Sequence, residues 1–262
     1  MIERPPGLAP KVRFETVTKR YGGHDEPVVD RVSCEIEAGC FVGVVGPSGS
    51  GKTTLLKMIN GLITPTAGGV TVDGQDVGSV DGPTLRRRVG YVFQGVGLFP
   101  HLTLGENIAM PLRLLGWDAA RQRARIAELF DLIGLPNHYT ARLPAELSGG
   151  QRQRVGVARA LAAEPKLLLM DEPFGALDPI TRDDLATATR ALHDRLGLTT
   201  VMVTHDMHEA LLIADRIIVM GRGKIVADNT PRALLAGHAD PDVRALIDMP
   251  KRQAERLANL TA

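Results

Sequence analysis

Cysteine is almost missing from this 262-residue chain, which has only Cys34 and Cys40, with five residues between them. That spacing fits neither a CxxC redox pair nor a zinc knuckle, and two thiols cannot supply a disulfide framework, so a reducing compartment is expected. A charge excess is missing too: 31 Lys and Arg face 30 Asp and Glu, a formal net charge of +1. A surface built for nucleic acid carries a clear basic surplus, so no nucleic-acid partner is expected. No stretch approaches the roughly 18 continuous apolar residues that cross a bilayer. The opening MIERPPGLAP holds an acid and three prolines but no apolar leader core, which argues against a signal peptide. The expectation is a chain soluble by itself, reaching a membrane only through a partner. Internal repeats and low-complexity segments are also absent. What is present is 44% hydrophobic content, enough for a substantial core in one domain with a sub-lobe, or in two small domains.

Residues 11–17 and 32–37 alternate polar and apolar (Val12, Phe14, Val17; Val32, Cys34, Ile36) as half-buried antiparallel strands do. FVGVV at 41–45 reads as a buried strand, and Val70 to Val77 as a hairpin turning at Asp73-Gly74. The middle of the chain is helical. Thr103-x-x-Glu106 forms a capping box, with Pro111 limiting or kinking that helix. Asp118 caps a second helix, which places Ile126, Leu129, Phe130 and Ile133 on one face and stops at Gly134. A third runs from Ser148 to about Glu164. Strands and helices then alternate: Leu167–Met170, a helix after Asp178-Pro179, Thr199–Val203, a helix through Glu209 and Leu212, and a hairpin across 221–223. Alternation of this kind implies an α/β core with a covered parallel sheet. Residues beyond about 240 read as a polar helical tail.

Gly46-Pro47-Ser48-Gly49-Ser50-Gly51-Lys52-Thr53-Thr54 satisfies GxxxxGK[ST] between a strand and a helix. Glycines let backbone N–H groups turn inward around phosphate oxygens, and the helix N-terminus adds partial positive charge. Lys52 is expected on the β- and γ-phosphates and the Thr53 hydroxyl on Mg²⁺. Asp171 and Glu172 follow a buried strand at the sheet edge where α/β folds bind ligands. Asp171 suits the metal, and Glu172 suits positioning or deprotonating the attacking water; a solvated strand end would look the same. Gln94, after the apolar strand Val89–Phe93, could touch both metal and water. Ser148-Gly149-Gly150-Gln151 opens the third helix either as a second anion site or as an ordinary capped start.

LSGGQ, with GPSGSGKTT before it and LLLMDEP after it, resembles the ATP-binding subunits of ABC transporters over nearly the whole chain. The resemblance implies a P-loop NTPase with a RecA-like core, an N-terminal antiparallel β subdomain and an inserted helical subdomain. It places an ATPase domain at 11–240, with the helical part at about 100–164, and a short helical tail at 241–262. It also assigns roles: Tyr21 stacks adenine, Gln94 is the Q-loop residue, and His205 is the switch histidine near the γ-phosphate. Asp178, in the D-loop with Ala176 and Leu177, reports closure. It implies a head-to-tail homodimer in which the phosphate loop of one copy faces Ser148, Gly149 and Gly150 of the other across ATP and Mg²⁺.

Other features read as structural. His24, His101, His138, His193 and His238 are expected at the surface or in loops. Arg86-Arg87-Arg88 reads as a solvated helix end, and Trp117 as packing in the helical lobe. With neither a heptad run nor a second phosphate loop, the chain departs from DNA- and ribosome-acting relatives. The alternatives are another ABC system, for a different small organic solute or for lipid trafficking, or a soluble cassette outside transport. YVFQGVGLFPHLTLGENIAMPLRLLGW, DEPFGALDPITRDDL and the tail MPKRQAERLA look like importers of quaternary-ammonium osmoprotectants such as glycine betaine and choline. That implies transmembrane permease subunits, a solute-binding protein and a place on the inner face of the plasma membrane. Leu98 and Phe99 could simply cap the core of the helical lobe; the resemblance implies that both dock a permease helix. Many such ATPases continue into C-terminal nucleotide-sensing domains, and a chain ending at Ala262 is expected to lack them.

Overall fold

A computed structural model describes residues 9–22 and 26–248, so His24 and the tail segment 249–258 lie outside the described residues. Two sheets organise the chain. The strands β1 (Val12–Lys19), β2 (Val29–Ile36), β4 (Ala67–Val72) and β5 (Gln75–Asp76) make an antiparallel sheet in the order β2-β1-β4-β5. The second sheet has the order β10-β9-β3-β8-β7-β6. Its parallel strands are β3 (Phe41–Val45), β6 (Val89–Val92), β7 (Leu167–Asp171), β8 (Thr199–Val203) and β9 (Arg216–Gly221), with β10 (Lys224–Asn229) antiparallel on β9. β3, β7 and β8 are buried along their whole length, and both faces of the sheet are covered, which is why these runs do not alternate.

The two faces feed two cores. Val42, Val44, Leu167, Leu169, Val201 and Val203 point toward α1 (Lys52–Ile59) and the antiparallel sheet. Leu168, Met170, Met202, Ile217 and Val219 point toward the helices on the other side. Those are α5 (Gly149–Leu161), α6 (Pro179–Leu196) and α7 (Met207–Ile213), joined by α3 (Leu104–Leu114) and α4 (Ala119–Leu132). α2 (Gly82–Arg87) and α8 (Pro231–Leu235) are short, and α9 spans 241–248.

The helical lobe is held at its ends. The Thr103/Glu106 capping box starts α3, whose Leu104, Ile108 and Leu112 are buried, and the helix continues three residues beyond Pro111. Asp118 caps α4, which ends at Gly134 in a left-handed turn. Arg125, buried on α4, donates to the Leu161 and Ala162 carbonyls at 2.9 and 3.2 Å, so a cation closes the C-terminal end of α5.

Three expectations change. His193 is buried on α6 with Nδ1 2.9 Å from Thr200 Oγ1, not at the surface. Val243 and Ile247 of α9 are buried in the main core, so the start of the tail is a docked amphipathic helix. Leu98 is half-buried and packs on that core, while Phe99 stays exposed. Trp117 packs on the lobe as expected, with the Arg121 guanidinium 3.3 Å from its ring centroid.

Candidate nucleotide site

The loop between β3 and α1 is built on glycines with left-handed backbone, two of them in close contact with neighbouring backbone. Gly46, Gly49 and Gly51 have φ of 147°, 80° and 96°. A Cβ on Gly46 would stand 2.2 Å from the Met220 carbonyl oxygen, and one on Gly51 would stand 2.4 Å from that of Val28. The loop therefore lies flat against β9 and the start of β2. Gly51 opens α1 without a side-chain cap, leaving first-turn N–H groups for something else. Lys52 is buried and donates to the Gly46 and Pro47 carbonyls at 2.8 and 2.9 Å. Burial holds its pKa below the ordinary lysine value, against the pull of Glu172 and Asp171.

The carboxylates sit where β7 ends. Asp171 is buried, and its Oδ1 accepts from the Thr53 hydroxyl at 2.8 Å. Glu172 has a left-handed backbone (φ 45°), while its N–H still donates to the Val203 carbonyl at 2.9 Å. Strained non-glycine residues of this kind concentrate at functional sites. Its Oε2 accepts from Gln94 Nε2 at 3.0 Å and lies 3.4 Å from His205 Nδ1. A cavity of about 420 Å³ gathers Lys52, Thr53, Thr54, Gln94, Glu172 and His205, with Ser48 and Gly49 on its wall.

The residues present fit a nucleotide tail and a divalent cation. Ser50 Oγ is buried without a hydrogen-bond partner inside the loop, a vacant donor of the kind a phosphate oxygen accepts from. The Thr53 hydroxyl and the Asp171 carboxylate offer hard oxygen donors suited to Mg²⁺.

Other expected residues stand apart. Tyr21 is exposed after β1, with Lys19 Nζ 5.2 Å from its ring centroid, and it does not line the cavity. Ser148 caps α5: its Oγ accepts from Gln151 N–H at 3.3 Å, and Gln151 Oε1 accepts from Ser148 N–H at 3.0 Å. Gly150 is buried, and a Cβ there would meet Thr181 Cγ2 at 2.3 Å. Close packing of α5 on α6 is therefore a reason for that glycine within the chain itself. Asp178 caps α6, accepting from Thr181 N–H at 3.0 Å, a bond that lowers its carboxyl pKa. None of Ser148, Gly149, Gly150, Gln151 or Asp178 lines the cavity.

Sequence reasoning missed a brace between the loop at 176–178 and the segment holding His205. Arg182 donates to the Leu177 carbonyl at 3.0 Å and lies 3.4 Å from Asp206. It also lies 3.6 Å from buried Glu209, whose other oxygen accepts from Thr204 at 2.6 Å. Burial raises the Glu209 pKa. The loop at 176–178 is thus tied to the segment holding His205. An Arg one turn into a helix and a Glu four residues past a histidine carry no such signal in sequence.

The family model described as ABC transporter matches residues 29–175. The chain is 49% identical over 236 residues to the carnitine transport ATP-binding protein OpuCA of Listeria monocytogenes, covering 90% of this chain and 59% of that protein. It is also 49% identical over 234 residues to the choline transport ATP-binding protein OpuBA of Bacillus subtilis, covering 89% of this chain and 61% of that one. The chain thus spans about 60% of the length of these relatives. Among solved structures, the dimeric post-hydrolysis state of the ATP-binding cassette MJ0796 bound to ADP and Pi aligns with a TM-score of 0.76. The identity is 35%, over 84% of this chain and 99% of that one.

Proposed function

The chain belongs to the ABC transporter family through its ATP-binding domain, and from that premise we propose that it hydrolyses Mg-ATP between two head-to-tail copies to drive solute import. One observation carries the two-copy site: the cavity gathers the phosphate loop, Gln94, Glu172 and His205 but neither Ser148 nor the glycines after it. A second copy would supply them, as in a dimeric cassette.

Each residue then has a task. The loop from Gly46 to Thr54 cradles the phosphates, and Lys52 exchanges its two loop carbonyls for phosphate oxygens. Magnesium, held through Thr53 and Asp171, would neutralise charge developing on the transferred phosphoryl group. Glu172 orients the attacking water and takes its proton, while Gln94 and His205, both against its carboxylate, set its direction. Tyr21 stacks the base, and Ser148, Gly149, Gly150 and Gln151 of the opposite copy close over the γ-phosphate. Asp178 and its loop carry closure back to His205 through Arg182. Most of the stabilisation is electrostatic and forms only on closure, so an isolated copy hydrolyses slowly.

The names of the two relatives, a carnitine and a choline transport protein, support a quaternary-ammonium solute as cargo; an osmoprotectant of that class is proposed, with permease subunits and a solute-binding protein as partners. No helix among the described residues is long and apolar enough to cross a membrane, so the permease would hold the chain at the inner face. The test is Glu172→Gln at saturating Mg-ATP, read by light scattering. A stable dimer is expected, with Lys52→Ala remaining monomeric; a monomeric Glu172→Gln protein would overturn the two-copy site.

A further inference from the structure

Asp171 divides its two carboxylate oxygens between different parts of the fold. Oδ1 faces the phosphate loop through Thr53, while Oδ2 accepts from the Tyr91 hydroxyl at 3.2 Å, with the Lys57 ammonium further off at 3.9 Å. Tyr91 comes from β6, and its ring packs on Phe93 with centroids 4.6 Å apart. Both rings line a second, larger cavity of about 830 Å³ between the sheet and the helical lobe, shared with Phe99, Leu114 and Arg159. Three residues after Tyr91, Gln94 holds Glu172. The segment 91–94 therefore supports both carboxylates from behind while its aromatic rings form the wall of a groove.

We propose that Tyr91 is a positioning residue for the divalent cation held by Thr53 and Asp171, fixing the Asp171 carboxylate from the groove side. Packing alone would be served by phenylalanine. The hydroxyl adds a directed donor to the one oxygen that the phosphate loop leaves free. Partners of metal-ligating groups typically affect metal affinity by about 10–100-fold, and one bond from a neutral phenol belongs at the low end. The inference rests on the nucleotide-site reading given above.

The experiment uses the full chain, Mn²⁺ as probe and a non-hydrolysable ATP analogue, with free Mn²⁺ followed by electron paramagnetic resonance. Tyr91→Phe should weaken analogue-dependent Mn²⁺ binding about tenfold, while analogue affinity without divalent cation and the melting temperature stay at wild-type values. In turnover, the Mg²⁺ concentration for half-maximal rate should rise by a similar factor with kcat at saturating Mg²⁺ little changed. Wild-type Mn²⁺ affinity in Tyr91→Phe overturns the role of Tyr91 and leaves the site reading intact. Loss of metal-free analogue binding in that variant also overturns it, because the hydroxyl would then be a general structural support. If wild-type protein shows no analogue-dependent Mn²⁺ binding, and Thr53→Ala matches it, the site reading falls and takes this inference with it.

Discussion

His193 is only 3% exposed. It lies between Thr200 on β8 and the ring of Phe41, whose centroid is 5.2 Å away at the start of the strand that feeds the phosphate loop. Burial, assisted by Arg190, depresses its pKa below the ordinary value of 6.5. The unfolded chain therefore takes up a proton near pH 6.5 that the folded chain resists, and stability is lost as pH falls from there toward the folded pKa. Glu209 has the opposite sign: its raised pKa means the folded state holds the extra proton, which favours the fold in acid. Comparison with His193→Gln isolates the histidine. The urea midpoint of the wild type should fall between pH 7 and pH 5 more steeply than that of the variant, and parallel pH profiles would refute the assignment. Residues such as His193 and Tyr91 were illegible in sequence because their partners come from other elements of the fold. Tyr91 meets Asp171 at a separation of 80 residues, and no local pattern encodes that pairing. The phosphate loop was legible for the converse reason, since all its chemistry lies within nine consecutive residues.

Elements whose ends are specified locally could be read directly. The Thr103/Glu106 and Ser148/Gln151 boxes and the Asp118 and Asp178 caps all lie within three residues of the groups they satisfy. The turn before α3 is different. Asn107 is buried, accepts from Phe99 N–H at 2.8 Å, and donates to the carbonyls of Phe99, Leu102 and Thr103 at 3.0–3.1 Å. One side chain thus holds the whole 99–103 turn on the helix, although asparagine in the first turn of a helix reads as unremarkable. Asn107→Ala leaves the Phe99 N–H and the Leu102 carbonyl without their partner, while the Phe99 and Thr103 carbonyls keep the backbone N–H groups of Leu102 and Asn107, a loss of about 3 kcal/mol. For a chain of this size that is a fall of roughly 6–12 °C in melting temperature. Thr103→Ala, which removes only a cap, should lose about 1 kcal/mol. Calorimetry on the two variants decides: an Asn107→Ala protein no less stable than Thr103→Ala would show that the turn is held by packing instead.

At the scale of the whole molecule, the phosphate-loop start of α1 and the Ser148-Gly149-Gly150 start of α5 do not converge on one cavity. Each can be read alone, but the joint use proposed for them across two copies has no pattern within one chain to encode it, because the pairing would lie between molecules. The groove walled by Tyr91, Phe93, Phe99 and Leu114 poses a similar question on the other side of the carboxylates. Phe93, Phe99 and Leu114 are 45%, 42% and 62% exposed there, a contiguous apolar surface of the kind that marks a protein contact. Leu98 is half-buried against the main core instead, so a charge at that position would disturb the lobe and confuse any binding result. Phe99→Asp is the cleaner probe. It places a carboxylate on the groove wall without opening the core, and the hydrogen bonds holding its backbone come from Asn107. Co-expressed with the permease proposed above and purified in detergent, the Phe99→Asp chain should lose the membrane subunits while keeping wild-type nucleotide affinity and Glu172→Gln dimerisation. Retention of the permease would show that the groove is not the docking surface. Joint loss of permease and nucleotide binding would mean that the variant damages the fold, since Phe99 lies outside the phosphate-loop cavity.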